Sequence, residues 1–169
     1  MRKLFFLLLL LFLPFPNLVF GQIPDMPKPV MYRNLVLEGG GIRGIAYGGA
    51  LGELEKRGIL QQINRVGGTS AGAIQAALLS VGYSPEEIAK ITSETPVKKF
   101  NDGRLIFFGG FHRLFKQYGW YRGDVFSKWI GRLVAQKTGS ADITFAQLHE
   151  LTKTNSQYRD LYVLGTNLS

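Results

Sequence analysis

The sequence predicts an α/β domain built on a mostly parallel sheet. Three observations predict it. Short apolar runs at Asn34–Glu38, before Gly67 and at Asp160–Gly165 have the length of buried strands. Stretches with helical spacing fill the intervals between them. The first two strands each end in a glycine-rich turn that opens a helix, the connection a parallel sheet requires.

Asn34-Leu35-Val36-Leu37-Glu38 is the first strand, and Gly39-Gly40-Gly41-Ile42-Arg43-Gly44 follows it as a turn. From Ile45 to Arg57, Tyr47, Ala50, Leu51 and Leu54 share one helical face, with Glu53, Glu55, Lys56 and Arg57 away from it. Gly58 is the natural stop. Gln61 to Val66 leads to a second, shorter strand that Gly67-Gly68-Thr69-Ser70-Ala71-Gly72 ends. Ala73 to Val81 is small and apolar all round, a helix meant to pack closely on a sheet. Ser84-Pro85-Glu86-Glu87 combines a capping residue, a first-turn proline and a glutamate at the third helical position, so a helix runs from Pro85 to about Ser93. Asp124 is expected to cap a helix to about Lys137, with Phe126, Ile130, Leu133 and Val134 buried. Thr144-Phe145-Ala146-Gln147 reads as a second capping box, opening a helix to about Leu151. Asp160 to Gly165 is the third strand.

Composition narrows the function classes. The chain has 169 residues, enough for one core-forming domain. With no cysteine, disulfides, thiolate zinc sites and cysteine nucleophiles are excluded. Glycine is high, 21 residues against a usual share of about 7%. Seven glycines fall between Gly39 and Gly52, which points to a function led by the backbone. The formal charge of +8 suits an anionic partner.

The amino terminus reads as a signal peptide over residues 1–21. Met1-Arg2-Lys3 is a basic head, Leu4 to Leu13 is an unbroken apolar run, and Gly21 offers a small residue for cleavage before Gln22. A membrane anchor is the competing reading, but it needs about 20 apolar residues and Pro14 and Pro16 interrupt this run. Export to the periplasm, the outer membrane or the medium is therefore expected. Residues 22–33, with Pro24, Pro27 and Pro29, read as an extended linker.

Pro96 to Arg122 departs from the α/β pattern. It holds eight aromatic residues, six basic ones and a single acid, Asp102. Core packing with solvated cations is one reading of Lys98 to Arg122. The other is a lid or membrane contact, since aromatic and basic side chains suit an anionic lipid surface. No nucleic-acid motif accompanies the charge.

The two glycine turns carry the chemistry. Strand–Gly-x-Gly-x-x-Gly–helix serves either a dinucleotide pyrophosphate or an oxyanion hole. Gly68-Thr69-Ser70-Ala71-Gly72 is a Gly-x-Ser-x-Gly turn, which holds a serine hydroxyl above the sheet edge at a helix amino terminus. A dinucleotide site wants an acid about 20 residues past the glycines. This chain has Ile59-Leu60-Gln61-Gln62 there and a nucleophile turn after the second strand, so acyl transfer is the better fit.

Leu37-Glu38-Gly39-Gly40-Gly41-Ile42-Arg43-Gly44 followed by Gly67-Gly68-Thr69-Ser70-Ala71-Gly72 closely resembles the patatin-like phospholipase family. Tyr162 to Leu168 is similar, more weakly, to that family's next core strand. The resemblance implies a three-layer α/β sandwich over residues 34–169 and hydrolysis of phospholipid or other lipid acyl esters by a Ser–Asp dyad, with no cofactor and no metal. It implies Ser70 as nucleophile and the amides of Gly40, Gly41 and Ile42 as the oxyanion hole. Gly39, Arg43, Gly44, Gly68 and Gly72 complete the two motifs. The family's Asp lies in an Asp-Gly-Gly or Asp-Gly-Ala motif beyond the strand matching Tyr162 to Leu168. The only Asp-Gly pair here is Asp102-Gly103, so the chain is expected to be the amino-terminal part of such a domain, with the carboxyl-terminal part missing and activity weak. The alternative is a non-catalytic lipid- or membrane-binding remnant of that fold.

Other side chains are expected to be structural. His112 and His149 read as solvated or core histidines, and Glu38 as a buried, hydrogen-bonded acid beside the turn. Arg43 is expected to brace the glycine turn.

Overall fold

The computed structural model describes residues 30–95, 97–102, 119 and 121–167. The expected signal peptide, and residues 103–118 and 120 of the aromatic segment, lie outside the described residues. All described residues except Val30 belong to one unit, Met31–Ser169.

Three strands, β1 (Asn34–Leu37), β2 (Arg65–Thr69) and β3 (Asp160–Leu164), form a parallel sheet in the order β1-β2-β3. Asn34 faces Arg65 and Leu37 faces Gly68; Arg65 faces Asp160 and Thr69 faces Leu164. Successive side chains alternate between faces. Leu35, Leu37, Val66 and Leu161 turn toward the helices and join the core. Val36, Tyr162 and Leu164 turn the other way and stay exposed, at 77%, 57% and 74%.

The helices are α1 (Ala46–Lys56), α2 (Ala71–Ser80), α3 (Pro85–Glu94), α4 (Asp124–Thr138) and α5 (Phe145–Thr154). Short 3-10 turns precede α1 at Gly41–Ile45 and β2 at Leu60–Gln62, and a third follows α3 at Val97–Phe100. α2 lies across all three strands. Glycines permit that approach. A Cβ on Gly72 would sit 2.2 Å from the Leu37 carbonyl oxygen, and one on Gly68 would sit 2.4 Å from that of Gly72. β2 runs on through Thr69 and α2 begins at Ala71, so the Gly-x-Ser-x-Gly turn is tighter than the sequence suggests.

Both capping boxes form as expected, Ser84 with Glu87 and Thr144 with Gln147. The start of α4 corrects the sequence reading. Asp124 is not the cap; the flanking residue is Gly123, at φ 82°, and Asp124 pairs with Arg122 at 2.8 Å. The capping carboxylate comes from Asp102. Its Oδ1 accepts from the Arg122 and Gly123 amides at 3.0 and 2.9 Å, and its Oδ2 accepts from Val125 at 3.0 Å. The Val125 and Gly123 amides, with Arg122 behind them, hold Asp102 below the usual carboxylate range.

Leu51, Val66, Leu78, Leu79 and Ile88 are fully buried in the single core between sheet and helices. Arg159 stitches its lower edge. Its half-buried guanidinium donates to the carbonyls of Ile63, Leu79 and Leu60 at 3.1, 3.2 and 3.4 Å, and burial lowers its pKa.

Candidate active site

The carboxyl ends of β1 and β2 bring the two glycine turns together. Ser70 occupies the single position between β2 and α2, with φ 50° and ψ −125°. Among the described residues it is the one non-glycine with positive φ. A side chain held there costs about 1–3 kcal/mol and persists only where its surroundings fix it. Gly68 and Gly72 do so by letting backbone pass backbone on either side.

The first turn packs directly on this bend. A Cβ on Gly39 would lie 3.0 Å from the Ser70 Cβ, and one on Gly44 would lie 3.1 Å from the Ala71 Cβ. Gly41 has φ 54°, a conformation glycine adopts without strain. The Arg43 side chain folds back over Gly40, its Nε 3.5 Å from where a Gly40 Cβ would stand, so it braces the turn. Tyr47 fixes the strand end by donating from its hydroxyl to the Glu38 carbonyl at 2.8 Å. Glu38 corrects expectation: it is exposed, and among the described residues its main-chain oxygen is hydrogen-bonded while its carboxylate is not.

Ser70 is exposed, and its hydroxyl makes no hydrogen bond among the described residues. It stands at the amino terminus of α2, where unpaired amides and the helix dipole favour negative charge. None of the acids or histidines described supplies it with a base. His149 Nδ1 pairs with Asp160 at 2.7 Å, and Asp160 begins β3 opposite Arg65, five residues of strand from Ser70, or about 16 Å. Asp102 and Asp124 are engaged at the start of α4. His112 lies outside the described residues. Among the described residues no group of three or more metal-ligating side chains gathers.

Beside Ser70 opens a cavity of about 820 Å³ that also touches Gly41 and Ile42. α2 lines it with Ala73, Ile74 and Ala77, α4 with Phe126, Trp129 and Ile130, and Phe100 closes a further side. The Phe100 ring packs on Phe126 and Trp129 with centroids 5.5 and 5.1 Å away. Three polar residues of the α3 segment also line it, yet their hydroxyls face their own chain. Thr92 donates to the Ile88 carbonyl, Ser93 to that of Lys90, and Thr95 to that of Ile91. Gln75 is 2% exposed; its Nε2 donates to Thr92 Oγ1 at 3.0 Å, and its buried Oε1 has no partner. An unmet buried acceptor costs about 1–3 kcal/mol.

The sequence reading brings Ser70, Gly39, Gly40, Gly41, Ile42, Arg43, Gly44, Gly68 and Gly72 to one place, and the structure gathers them there. It does not anticipate the cavity wall. Phe126 and Ile130 read as the buried side of α4, and their helical spacing was the available signal. Gln75 and Thr92 had none, being single polar residues on separate helices.

Comparison with known proteins gives a consistent picture. A family model described as patatin-like phospholipase matches residues 35–168. The protein YqhO of Bacillus subtilis is 39% identical over 111 residues, covering 63% of this chain and 38% of YqhO. A probable lipid hydrolase, 463L of invertebrate iridescent virus 6, is 44% identical over 61 residues, covering 36% of this chain and 20% of the viral protein. Among solved structures, the type III effector ExoU of Pseudomonas aeruginosa superposes with a TM-score of 0.63 at 21% identity, covering 82% of this chain and 34% of ExoU. That likeness is one of fold. The chain spans less than half the length of each of these proteins.

Proposed function

Because this chain belongs to the patatin-like phospholipase family, we propose that it carries the nucleophile half of a lipid acyl hydrolase site, with Ser70 as the attacking group. One observation carries the reading: an unbonded serine hydroxyl in a strained bend, in contact with a glycine turn, at the mouth of a large apolar cavity. The Ser70 oxygen bonds to the ester carbonyl carbon, and amides of Gly40, Gly41 and Ile42 receive the charge on the carbonyl oxygen. The alcohol leaves with a proton, and water then releases the fatty acid and restores the serine. The apolar cavity takes the acyl chain. A carboxylate base is the remaining part, supplied in the family by an Asp-Gly motif, so the 169-residue chain is expected to turn over slowly. A general base usually contributes about 10²–10⁴-fold.

Ile42, Ile45 and Val97 are exposed around the cavity mouth, with Arg43 and Lys98 beside them in sequence. This supports docking of the mouth on an anionic lipid surface. Among the described residues no helix is long and apolar enough to cross a membrane. The signal-peptide reading of residues 1–21 sets the chemistry outside the cytoplasm.

Labelling with an alkyl fluorophosphonate tests the reading. The Ser70 oxygen would displace fluoride at phosphorus, leaving a stable phosphonate ester on the protein. Label on Ser70 by peptide mass spectrometry, slowed by added stearate and absent from Ser70→Ala, is the expected result. Label on another residue, or none, would favour the lipid-binding remnant.

A further inference from the structure

The wall formed by α2 and α3 is chemically one-sided. The hydroxyl protons of Thr92, Ser93 and Thr95 are all engaged by carbonyls of their own helix segment. Since Thr92 donates to Ile88, it can only accept from Gln75, which turns the Gln75 nitrogen toward Thr92 and leaves Oε1 as the free end. That wall holds oxygen acceptors: three hydroxyl oxygens and one buried carbonyl, Gln75 Oε1, that has no donor among the described residues. Among the described residues the other side-chain donors on the lining are the second N–H of Gln75 Nε2, the Ser70 hydroxyl at the mouth and the Trp129 indole on the wall that α4 supplies. An unbranched saturated chain would leave the Gln75 carbonyl buried and unmet. A chain carrying a hydroxyl would meet it, because the hydroxyl brings the missing proton.

We propose that the cavity is selective for acyl chains bearing a mid-chain hydroxyl, with Gln75 Oε1 as the acceptor that recognises it. Gln75 is a specificity-determining residue in this scheme; it touches the chain and not the reacting ester. Its place sets the position of the hydroxyl. It lies five residues beyond Ser70 on α2, about 7.5 Å along the helix axis, so the hydroxyl belongs several carbons from the carbonyl. Gln75 Oε1 is covered in this structure, so the contact requires the amide to turn toward the chain.

The proposal rests on the acyl-cavity reading above, and the experiment separates the two. The full chain is titrated with stearate and with hydroxystearates substituted at successive mid-chain carbons, following tryptophan fluorescence and confirming by calorimetry. All should bind, with one or two mid-chain isomers about three- to tenfold tighter than stearate, the worth of one added hydrogen bond. Gln75→Leu should bind stearate at least as tightly and lose the preference. Thr92→Val, which releases the Gln75 nitrogen, should weaken the preference without abolishing stearate binding, and serves if Gln75→Leu does not fold. Equal binding of stearate and every hydroxy isomer by the unaltered chain overturns the inference and leaves the acyl cavity standing. So does a preference that survives in Gln75→Leu. Failure of all the fatty acids to bind overturns the acyl-cavity reading itself.

Discussion

Ser70 is set in a backbone conformation that suits glycine and not serine. Its geometry serves the site at the expense of the fold, and this can be measured. Ser70→Gly should stabilise the chain by about 1 kcal/mol or more over Ser70→Ala, since alanine keeps the strain and glycine removes it. Urea unfolding of the two variants compares them directly; equal midpoints would show that the bend carries no strain. Asp102 makes the opposite case, a residue that serves only the fold. Asp102→Ala should lower Tm and speed amide exchange in the first turn of α4, whereas Asp124→Ala should do much less, its ion pair being exposed. The amides hold the folded pKa of Asp102 below its unfolded value near 3.9. Its contribution is therefore full above that value and lost as the pH falls through the lower, folded one. The difference in Tm between wild type and Asp102→Ala should shrink in that acid window and stay constant from about pH 5 to 8.

At the scale of elements, glycine positions divide into those the packing needs and those it does not. Gly72→Ala would drive a methyl into the Leu37 carbonyl and should prevent α2 from seating on β1; loss of the cooperative unfolding transition is expected. A Cβ added at Gly49 or Gly52 on α1 would meet nothing within 4 Å among the described residues, so replacing either with alanine should raise stability by about 0.5–1 kcal/mol. Thermal scans of the three variants distinguish a packing glycine from a tolerated one. The same division explains what the sequence discloses. The two turns are legible because residues adjacent in sequence encode them: Gly39 to Gly44 and Gly68 to Gly72 need no distant partner to be recognised. The cap of α4 is not legible, because Asp102 reaches it across 21 residues and the local rule favours Asp124. Arg159 is equally hidden. A guanidinium held by carbonyls from Leu60, Ile63 and Leu79 leaves no pattern near Arg159 itself. The cavity wall belongs to this class, since Gln75, Thr92 and Trp129 meet only in three dimensions.

For the whole molecule, the basic head, the apolar run and Gly21 set an expectation about its destination. Cells making the chain should yield a product that begins at or near Gln22, read by mass spectrometry of the amino-terminal peptide. An intact Met1–Gln22 peptide in a soluble cytosolic product would refute it.

The bare side of the sheet has a consequence for how the chain behaves in a tube. Among the described residues β1 and β3 each leave one hydrogen-bonding edge unpaired, and Val36, Tyr162 and Leu164 form an apolar face beside them. Such a surface is a template on which a second copy can stack. The net positive charge of the chain, +8 as given, opposes that contact. That repulsion reaches about 10 Å at 0.1 M salt and only about 3 Å at 1 M. The protein should accordingly be monodisperse in dilute buffer and should grow into oligomers as sodium chloride is raised, the reverse of a chain held together by ion pairs. Dynamic light scattering across a salt series reads this directly. Leu164→Lys, which puts a charge on the apolar face, should hold the hydrodynamic radius constant over the same series, and growth unaffected by that change would locate the sticky surface elsewhere.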